Sequence, residues 1–452
     1  LYPTRISEMI NDLTLPLMGG ESRSVAMWIG IDDTDSPEGM CTTYLGAVLV
    51  RRLEASGIPV HSLRLIRLNP TIIWKTRGNA AIAIGAEGDP DTAFSIAGSL
   101  IEELADLACE RTNPGLVVCG DHRPPAAFAE EAITGFCTIE GAIDACIKAG
   151  ARYRGWKNCR GLIGAVAAVA ADLTESTSEY LVYRDVSRRE RERIVDAGTL
   201  ARAEEMTFPH TWDTVDAANN VVVCVPHTPD PVLFGIRGES PVWVSLARHL
   251  IESEEPAIEA LFETNQGTDA HLIRGSTGRL EDGRSYIIAG TVTTSPKTGI
   301  GGHVSVRISD GENHLTCMAY EPVKGFREII RALAPGDRIV ACGSYRNTTL
   351  NLEKVCILDA PPLRIAGAPL CPSCAKRMTS AGAKKGYKCR RCGERLPDPV
   401  IRFEERHLLP GWYEVPPSAR RHLARPLCRG SPALPDDVVN VISDPVDWIY
   451  SK

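Results

Sequence analysis

Met27-Trp-Ile-Gly-Ile-Asp-Asp-Thr-Asp-Ser-Pro-Glu-Gly-Met-Cys-Thr-Thr43 carries a short apolar strand straight into three closely spaced carboxylates. The run from Met27 to Ile31 is continuously apolar, the pattern of a strand buried on both faces. Asp32, Asp33 and Asp35 follow at its C-terminal end, Pro37 and Gly39 turn the chain, and an amphipathic helix opens at Thr42 and Thr43. Hard carboxylate oxygens at a strand end suit Mg2+, which in turn suits the phosphates of a nucleotide. The same residues also allow a polar strand-to-helix loop with Thr42 as its N-cap and no ligand.

Outward from this stretch, strand-like runs (Ala26 to Ile31, Leu63 to Leu68, Ala80 to Ile84, Leu116 to Val118) alternate with helix-like ones (Thr42 to Ser56, Asp91 to Cys109, Glu140 to Ala149). This predicts an α/β domain over residues 27–150 with its polar motifs in the turns. Residues 1–26 lack periodicity and are expected to be an N-terminal extension. Residues 151–272 open on Arg152, Arg154, Lys157 and Arg160, pass into a small-residue helix from Gly161, and end in strands near Asn220 to Val225 and Pro231 to Gly235. That order is compatible with a ferredoxin-like α+β sandwich. Five short strands over 280–360, near 286–293, 302–309, 314–320, 337–344 and 350–358, bracket a helix-like Phe326 to Leu333 and describe an OB-fold β-barrel. Such barrels bind single-stranded or terminal nucleic acid, with Tyr286, Tyr320, Tyr345, Arg307 and Arg346 as stacking and phosphate candidates and packing as the alternative role of the tyrosines.

Cys371-Pro-Ser-Cys374 and Cys389-Arg-Arg-Cys392 are two knuckles fourteen residues apart. Four such thiolates close a tetrahedral structural Zn2+ site with no open position for catalysis, which predicts a zinc ribbon over 368–396, with a disulfide pair or redox site as the alternative. Lys384, Lys385, Lys388, Arg390 and Arg391 surround it and suit an RNA phosphate backbone. Residues 397–452 read as a Pro- and Arg-rich C-terminal tail. Residues 1–150 carry 11 Lys and Arg against 20 Asp and Glu, whereas residues 370–430 carry 14 against 5. A polyanion therefore suits the C-terminal part and a metal or cationic substrate the N-terminal one. The longest apolar run, about eleven residues from Gly161, falls short of the ~20 that span a bilayer, and fifteen cysteines in a 452-residue chain suit reduced thiols, so a cytoplasmic protein with no membrane partner is expected.

Asp32, Asp33 and Asp35, the pair Thr42-Thr43, and the run Leu68-Asn-Pro-Thr-Ile-Ile-Trp-Lys-Thr-Arg-Gly-Asn79 read as parts of one phosphate site. Lys75 and Arg77 offer cations to triphosphate oxygens and Asn79 a neutral partner, or both cations are solvated charges on a hairpin. No Walker A sequence occurs in the chain, so a standard P-loop is excluded. Thr112-Asn-Pro-Gly115 is a turn by composition. Two other classes fit the residue chemistry. One is a non-catalytic tRNA-binding adaptor built on the barrel and ribbon; the other is a Mg-dependent nuclease built on the aspartates.

Ile31-Asp-Asp-Thr-Asp-Ser36, Gly39-Met-Cys-Thr-Thr-Tyr44, Arg67-Leu-Asn-Pro-Thr71, Lys75-Thr-Arg-Gly-Asn79, Thr112-Asn-Pro-Gly115 and Pro229-Asp-Pro-Val-Leu-Phe-Gly-Ile-Arg-Gly238 occur in collinear order. Together they resemble the archaeal tRNA(Ile) 2-agmatinylcytidine synthetases over roughly Met27 to Leu396. The resemblance implies ATP-dependent attachment of agmatine to the wobble cytidine of the CAU anticodon of isoleucine tRNA, so that it reads AUA. It implies a kinase-like first domain and a ferredoxin-like second one acting on the anticodon, with OB-fold and zinc ribbon on the acceptor stem. ATP would phosphorylate the cytidine carbonyl oxygen at ring position 2, and the amine of agmatine would displace the phosphate. By the same resemblance Asp32, Asp33 and Asp35 are the catalytic and Mg2+-binding carboxylates, and Thr42 is the autophosphorylated threonine. Thr43, Lys75, Arg77 and Asn79 are expected to contact ATP. Residues 1–26 and the tail lie outside the match, and Ile73-Trp74 stands where the family pattern has a Pro-aromatic pair.

Overall fold

The computed structural model describes residues 27–382, 385–434 and 450–451, so the expected extension over 1–26 and Lys384 lie outside the described residues. The chain divides into two compact units. The first holds the residues up to Ile273 together with Gly283–Ser285 and Val415–Pro432, and the second holds Arg274–Asp282, Tyr286–Glu414 and the residues from Ala433.

The first unit is built on β1 (Met27–Asp32), β2 (Val60–Arg67), β3 (Ala80–Ala86), β4 (Gly115–Cys119) and β5 (Arg152–Gly155), in the order β5-β4-β1-β3-β2 with antiparallel neighbours. Alternate residues serve opposite cores, as the period of two requires. Ile29, Ile31, Ile82, Ile84, Leu116 and Val118 pack with Leu45, Leu49 and Leu53 of α1 (Thr42–Ala55) and with Leu100 and Ile101 of α2 (Pro90–Leu104). Trp28, Ala81, Ala83, Val117 and Cys119 face the other way, onto α3 (Ala126–Thr134), α4 (Ile139–Ala149) and α5 (Gly161–Ala170). The small residues of α5 have a packing cause: a Cβ on Gly30 of β1 would stand 2.2 Å from the Ala165 carbonyl oxygen, so strand and helix meet backbone to backbone. Although β5 and α5 come from the stretch assigned by sequence to the second region, β5 extends the first region's sheet and α5 covers its face.

The sheet continues through β11 (Ile258–Thr264), β6 (Thr177–Tyr183), β10 (Val232–Gly238) and β7 (Thr211–Trp212). The join is parallel and short, Glu263 and Thr264 standing opposite Arg64 and Leu65. Helices α6 (Ala197–Thr207) and α7 (Pro241–His249) cover this half, with Leu200 and Val244 packed on Tyr180, Val182, Phe234 and Ile236. The expected strand over Asn220 to Val225 shrinks to β9 (Val221–Val222), which pairs with β8 (Val215–Asp216) as a small hairpin.

Residues 415–432 form a strap on the first unit. Its order comes from charge and backbone bonds more than from an apolar face. Arg420 pairs with Asp213, their side chains only 6% and 3% exposed. Arg425 and Arg429 converge on Glu175. The N–H groups of Gly267 and Asp269 donate to the carbonyls of His422 and Leu423 at 2.8 Å.

In the second unit, strands Ser285–Val292, Val304–Ser309, His314–Ala319, Arg338–Arg346 and Thr349–Asp359 close a five-stranded barrel, the first returning to the second through Thr291 and Val292. Helix Phe326–Arg331 falls between the third and fourth strands, as the sequence pattern predicts. Tyr286 is buried edge-on against Tyr345, centroids 6.5 Å apart, so it packs and does not present a stacking face; Tyr320 is partly exposed. Among the described residues no helix is long and apolar enough to cross a membrane.

Candidate active site

A cavity of about 350 Å³ opens in the first unit where β1 ends. On leaving the strand the backbone takes Asp33 into the left-handed region at φ 55°, a conformation that short polar residues tolerate best and that recurs at functional turns. Burial pushes the Asp32 carboxyl well above the usual range, and the neighbouring Asp33 adds to it. Burial likewise raises Asp33 to about 7, against the pull of Arg160, whose Nη2 donates to Asp33 Oδ2 at 2.8 Å. Asp35 is also raised by burial, with Arg77 Nη2 3.3 Å away opposing it. A Cβ on Gly164 of α5 would stand 1.9 Å from Asp32 Oδ2, so a glycine is required for the carboxylate to keep its place.

Helix α1 begins at the cavity wall. Its N-cap is Cys41, which makes no side-chain capping bond, so the cap residue does not satisfy the first-turn N–H groups. Thr42 accepts a hydrogen bond from the Thr34 hydroxyl at 3.1 Å, and the Cys41 sulfur lies 3.0 Å from the Thr43 hydroxyl. Arg77 ties its loop to the acidic one by donating to the Ser36 carbonyl at 3.0 Å and to the Met40 carbonyl. Lys75 donates to the Pro70 carbonyl and Asn79 to the Asn69 carbonyl, which shapes the loop between them. The Thr76 hydroxyl and Arg67 Nε in this wall are buried with no protein hydrogen-bond partner among the described residues.

The opposite wall comes from the second half of the sheet. Glu179, on β6 and 3% exposed, receives Arg67 at 3.2 Å, Arg237 at 3.5 Å and the Gln266 amide. Asp230 accepts from Val232 N at 2.9 Å and from the Thr228 hydroxyl. His422, from the strap, completes this side, its Nδ1 3.0 Å from Gln266 Oε1.

In the second unit the sulfurs of Cys371, Cys374, Cys389 and Cys392 all lie within 4.8 Å of one another. Backbone N–H groups of Cys392 and Arg391 draw the Cys389 thiol down to about 7, toward the thiolate that a metal takes. A set of four sulfurs fits structural Zn2+. Lys385, Lys388, Arg390 and Arg391 stand exposed around it.

Three domain models of one family match the chain: the TiaS TCKD domain over residues 28–89, the TiaS FLD domain over 159–271 and the TiaS C-terminal zinc ribbon domain over 368–408. The isoleucine-tRNA 2-agmatinylcytidine synthetase TiaS of Methanocorpusculum labreanum is 47% identical over 404 residues, which cover 89% of this chain and 97% of that protein. The chain belongs to the isoleucine-tRNA 2-agmatinylcytidine synthetase family. A solved complex of TiaS with its isoleucine tRNA and ATP superposes with a TM-score of 0.84 at 40% identity, covering 90% of this chain and 98% of that one. A second TiaS complex, with the same tRNA, AMPCPP and agmatine, superposes at 0.82 and 39%, with the same coverage.

In this agmatinylcytidine synthetase family member Asp32, Asp33, Asp35, Thr42, Thr43, Lys75, Arg77 and Asn79 all line the one cavity. Among the described residues the three aspartates are not drawn as close together as the four cysteines, and Asp33 and Asp35 are each paired with an arginine. Sequence reasoning missed Arg67, Thr76, Arg160, Glu179, Asp230, Arg237 and His422 as wall residues. Arg67, Asp230 and Arg237 lie inside family-like motifs and Arg160 in a basic run, so a signal existed for them. Glu179 was legible only as a lone acid in an apolar strand, and His422 carried no signal at all.

Proposed function

We propose that this chain is an ATP-dependent ligase that joins agmatine to ring position 2 of the wobble cytidine in the CAU anticodon of isoleucine tRNA. The observation that carries this is the single cavity that gathers the Asp32–Asp35 loop, an uncapped helix start and Lys75 and Arg77, in a chain nearly coextensive with the family's members. Helix N-termini and paired cations are what a triphosphate needs.

The chemistry follows from the leaving group. A carbonyl oxygen leaves poorly until a phosphoryl group is transferred to it. The primary amine of agmatine then forms the new C–N bond at C2 while the C–O bond breaks and phosphate departs with the electron pair. One phosphoryl transfer accounts for one phosphate, and hydrolysis of the second phosphoanhydride bond by water gives AMP and two phosphates as the final products. Thr42, at the first turn of α1, is the autophosphorylation site in this reading, and Thr43, Lys75, Arg77 and Asn79 face ATP. Three buried carboxylates with raised proton affinity suit a divalent cation, and Asp32 and Asp33 would hold Mg2+ with Asp35 beside them. Bound there, Mg2+ would neutralise charge on the transferring phosphates. Asp230 adds a carboxylate to the wall for a dicationic substrate, whereas Glu179 is taken up by Arg67, Arg237 and Gln266.

The first half of the sheet is read as the kinase-like domain. The chain order β6-α6-β7-β10-α7-β11 and the sheet order β11-β6-β10-β7 support a ferredoxin-like second domain, and the closed five-stranded barrel supports an OB-fold. Both N-terminal parts act on the anticodon, while barrel and ribbon hold the acceptor stem, with Lys384, Lys385, Lys388, Arg390 and Arg391 on its phosphates. Incubation with ATP labelled in the γ-phosphate tests the assignment. Label enters wild-type protein and CAU tRNA, Thr42→Ala loses the protein label, and Asp33→Ala uses no ATP, both variants keeping tRNA affinity. ATP use by Asp33→Ala at the wild-type rate would overturn the site.

A further inference from the structure

The strap residue His422 lies in the cavity wall yet outside every recognised motif of the chain. Its surroundings define which ring nitrogen carries the proton. Gln266 spends its amide N–H on the Glu179 carboxylate, so its Oε1 is left as the acceptor facing His422 Nδ1 at 3.0 Å. Nδ1 therefore carries the hydrogen and Nε2 presents a lone pair. Burial, and then the charges of Arg67, Arg237 and Lys75, hold the imidazole well below its ordinary pKa, so it is neutral. On the Nε2 side a Cβ at Gly78 would come within 3.0 Å of Nε2 and 2.8 Å of Arg67 Nη1, so a side chain at position 78 would crowd this nitrogen.

We infer that His422 is a substrate-contacting residue whose Nε2 accepts a hydrogen bond from a substrate N–H, delivered to the cavity by the returning strap. This rests on the reading of the cavity given under Proposed function. A lone acceptor ringed by guanidinium groups selects a neutral N–H over an ammonium, whose charge the arginines oppose. Three participants in the reaction carry such a group: the deprotonated primary amine of agmatine, the exocyclic amine of cytidine and that of the ATP adenine, which an unchanged KM for ATP sets aside.

Steady-state agmatinylation by full-length His422→Leu and His422→Gln separates them. Leucine removes the acceptor, and glutamine restores one through its carbonyl. The Leu variant is expected to raise one KM about tenfold, the scale of one lost hydrogen bond. The KM for ATP stays at the wild-type value and the Gln variant recovers most of the KM loss, while the Tm of the Leu variant falls because leucine also takes the Nδ1–H donor from Gln266. A rise in the agmatine KM names the amine, and a rise in the tRNA KM names the base. Unchanged KM values, or a joint rise of all three with a fall in Tm that glutamine does not rescue, would overturn the inference. If wild-type protein makes no agmatinylcytidine at all, the reading of the cavity fails instead. Should the leucine variant not fold, the imidazole 15N resonances of wild type decide. An unprotonated Nε2 that shifts on adding agmatine or tRNA supports the inference, and a protonated Nε2 or an unmoved one overturns it.

Discussion

At the scale of single residues the site is a place where charge is held at a cost. Asp33 is raised to about 7 by burial, so the folded protein retains a proton that the unfolded chain has already released. The penalty is absent below about pH 4, grows as pH rises and is complete above about pH 7. Asp33→Asn should therefore raise the Tm of the metal- and nucleotide-free protein more at pH 8 than at pH 5, read by thermal melts. An equal gain at both would show that Asp33 is not carrying the proton. Gly164→Ala drives a Cβ into the Asp32 carboxylate, and in the role proposed for Asp32 a displacement of that size costs about a hundredfold in kcat, read by steady-state kinetics. Much of this site was legible from residue types alone, since the aspartates, threonines and cations sit in contiguous motifs. The role of Arg160 was not, because its local basic run shows the charge while its pairing with Asp33 spans 127 positions.

At the scale of elements, close approach and buried charge decide what the chain tolerates. β1 and α5 touch through Gly30 and Ala165, so Gly30→Ala should cost about 2 kcal/mol by overpacking, measured by urea denaturation. The strap is held differently. Arg420→Ala leaves Asp213 buried with the more distant Arg237, 3.6 Å away, as its remaining cation among the described residues, and should destabilise the protein by about 3 kcal/mol. A loss below about 0.5 kcal/mol would mean the pair behaves as a surface ion pair. These two elements also show why some of the fold could be read and some could not. The strand at Met27–Asp32 announces itself through an unbroken apolar run. The strap has no periodicity, and its arginines look like solvated charge until Asp213 and Glu175, more than two hundred positions earlier, are brought against them.

At the scale of the whole molecule, the basic segment read over 370–430 belongs to two units. Lys385, Lys388, Arg390 and Arg391 decorate the ribbon, whereas Arg420, Arg425 and Arg429 are spent on carboxylates of the first unit. Electrostatic binding of tRNA should therefore depend on the ribbon. Cys389→Ser should lose zinc and weaken tRNA binding, with a shallower salt dependence, while autophosphorylation continues. Full zinc content and unchanged affinity would contradict it. The central claim is that one cavity brings ATP, agmatine and the wobble cytidine together. Mass spectrometry of nucleosides tests it most directly, on an unmodified CAU isoleucine tRNA incubated with this protein, ATP, Mg2+ and agmatine, each small molecule omitted in turn. The account predicts a cytidine that gains the agmatine moiety only in the complete mixture. Intact, unmodified tRNA in that mixture, or tRNA cut into fragments with Mg2+ alone, would contradict it.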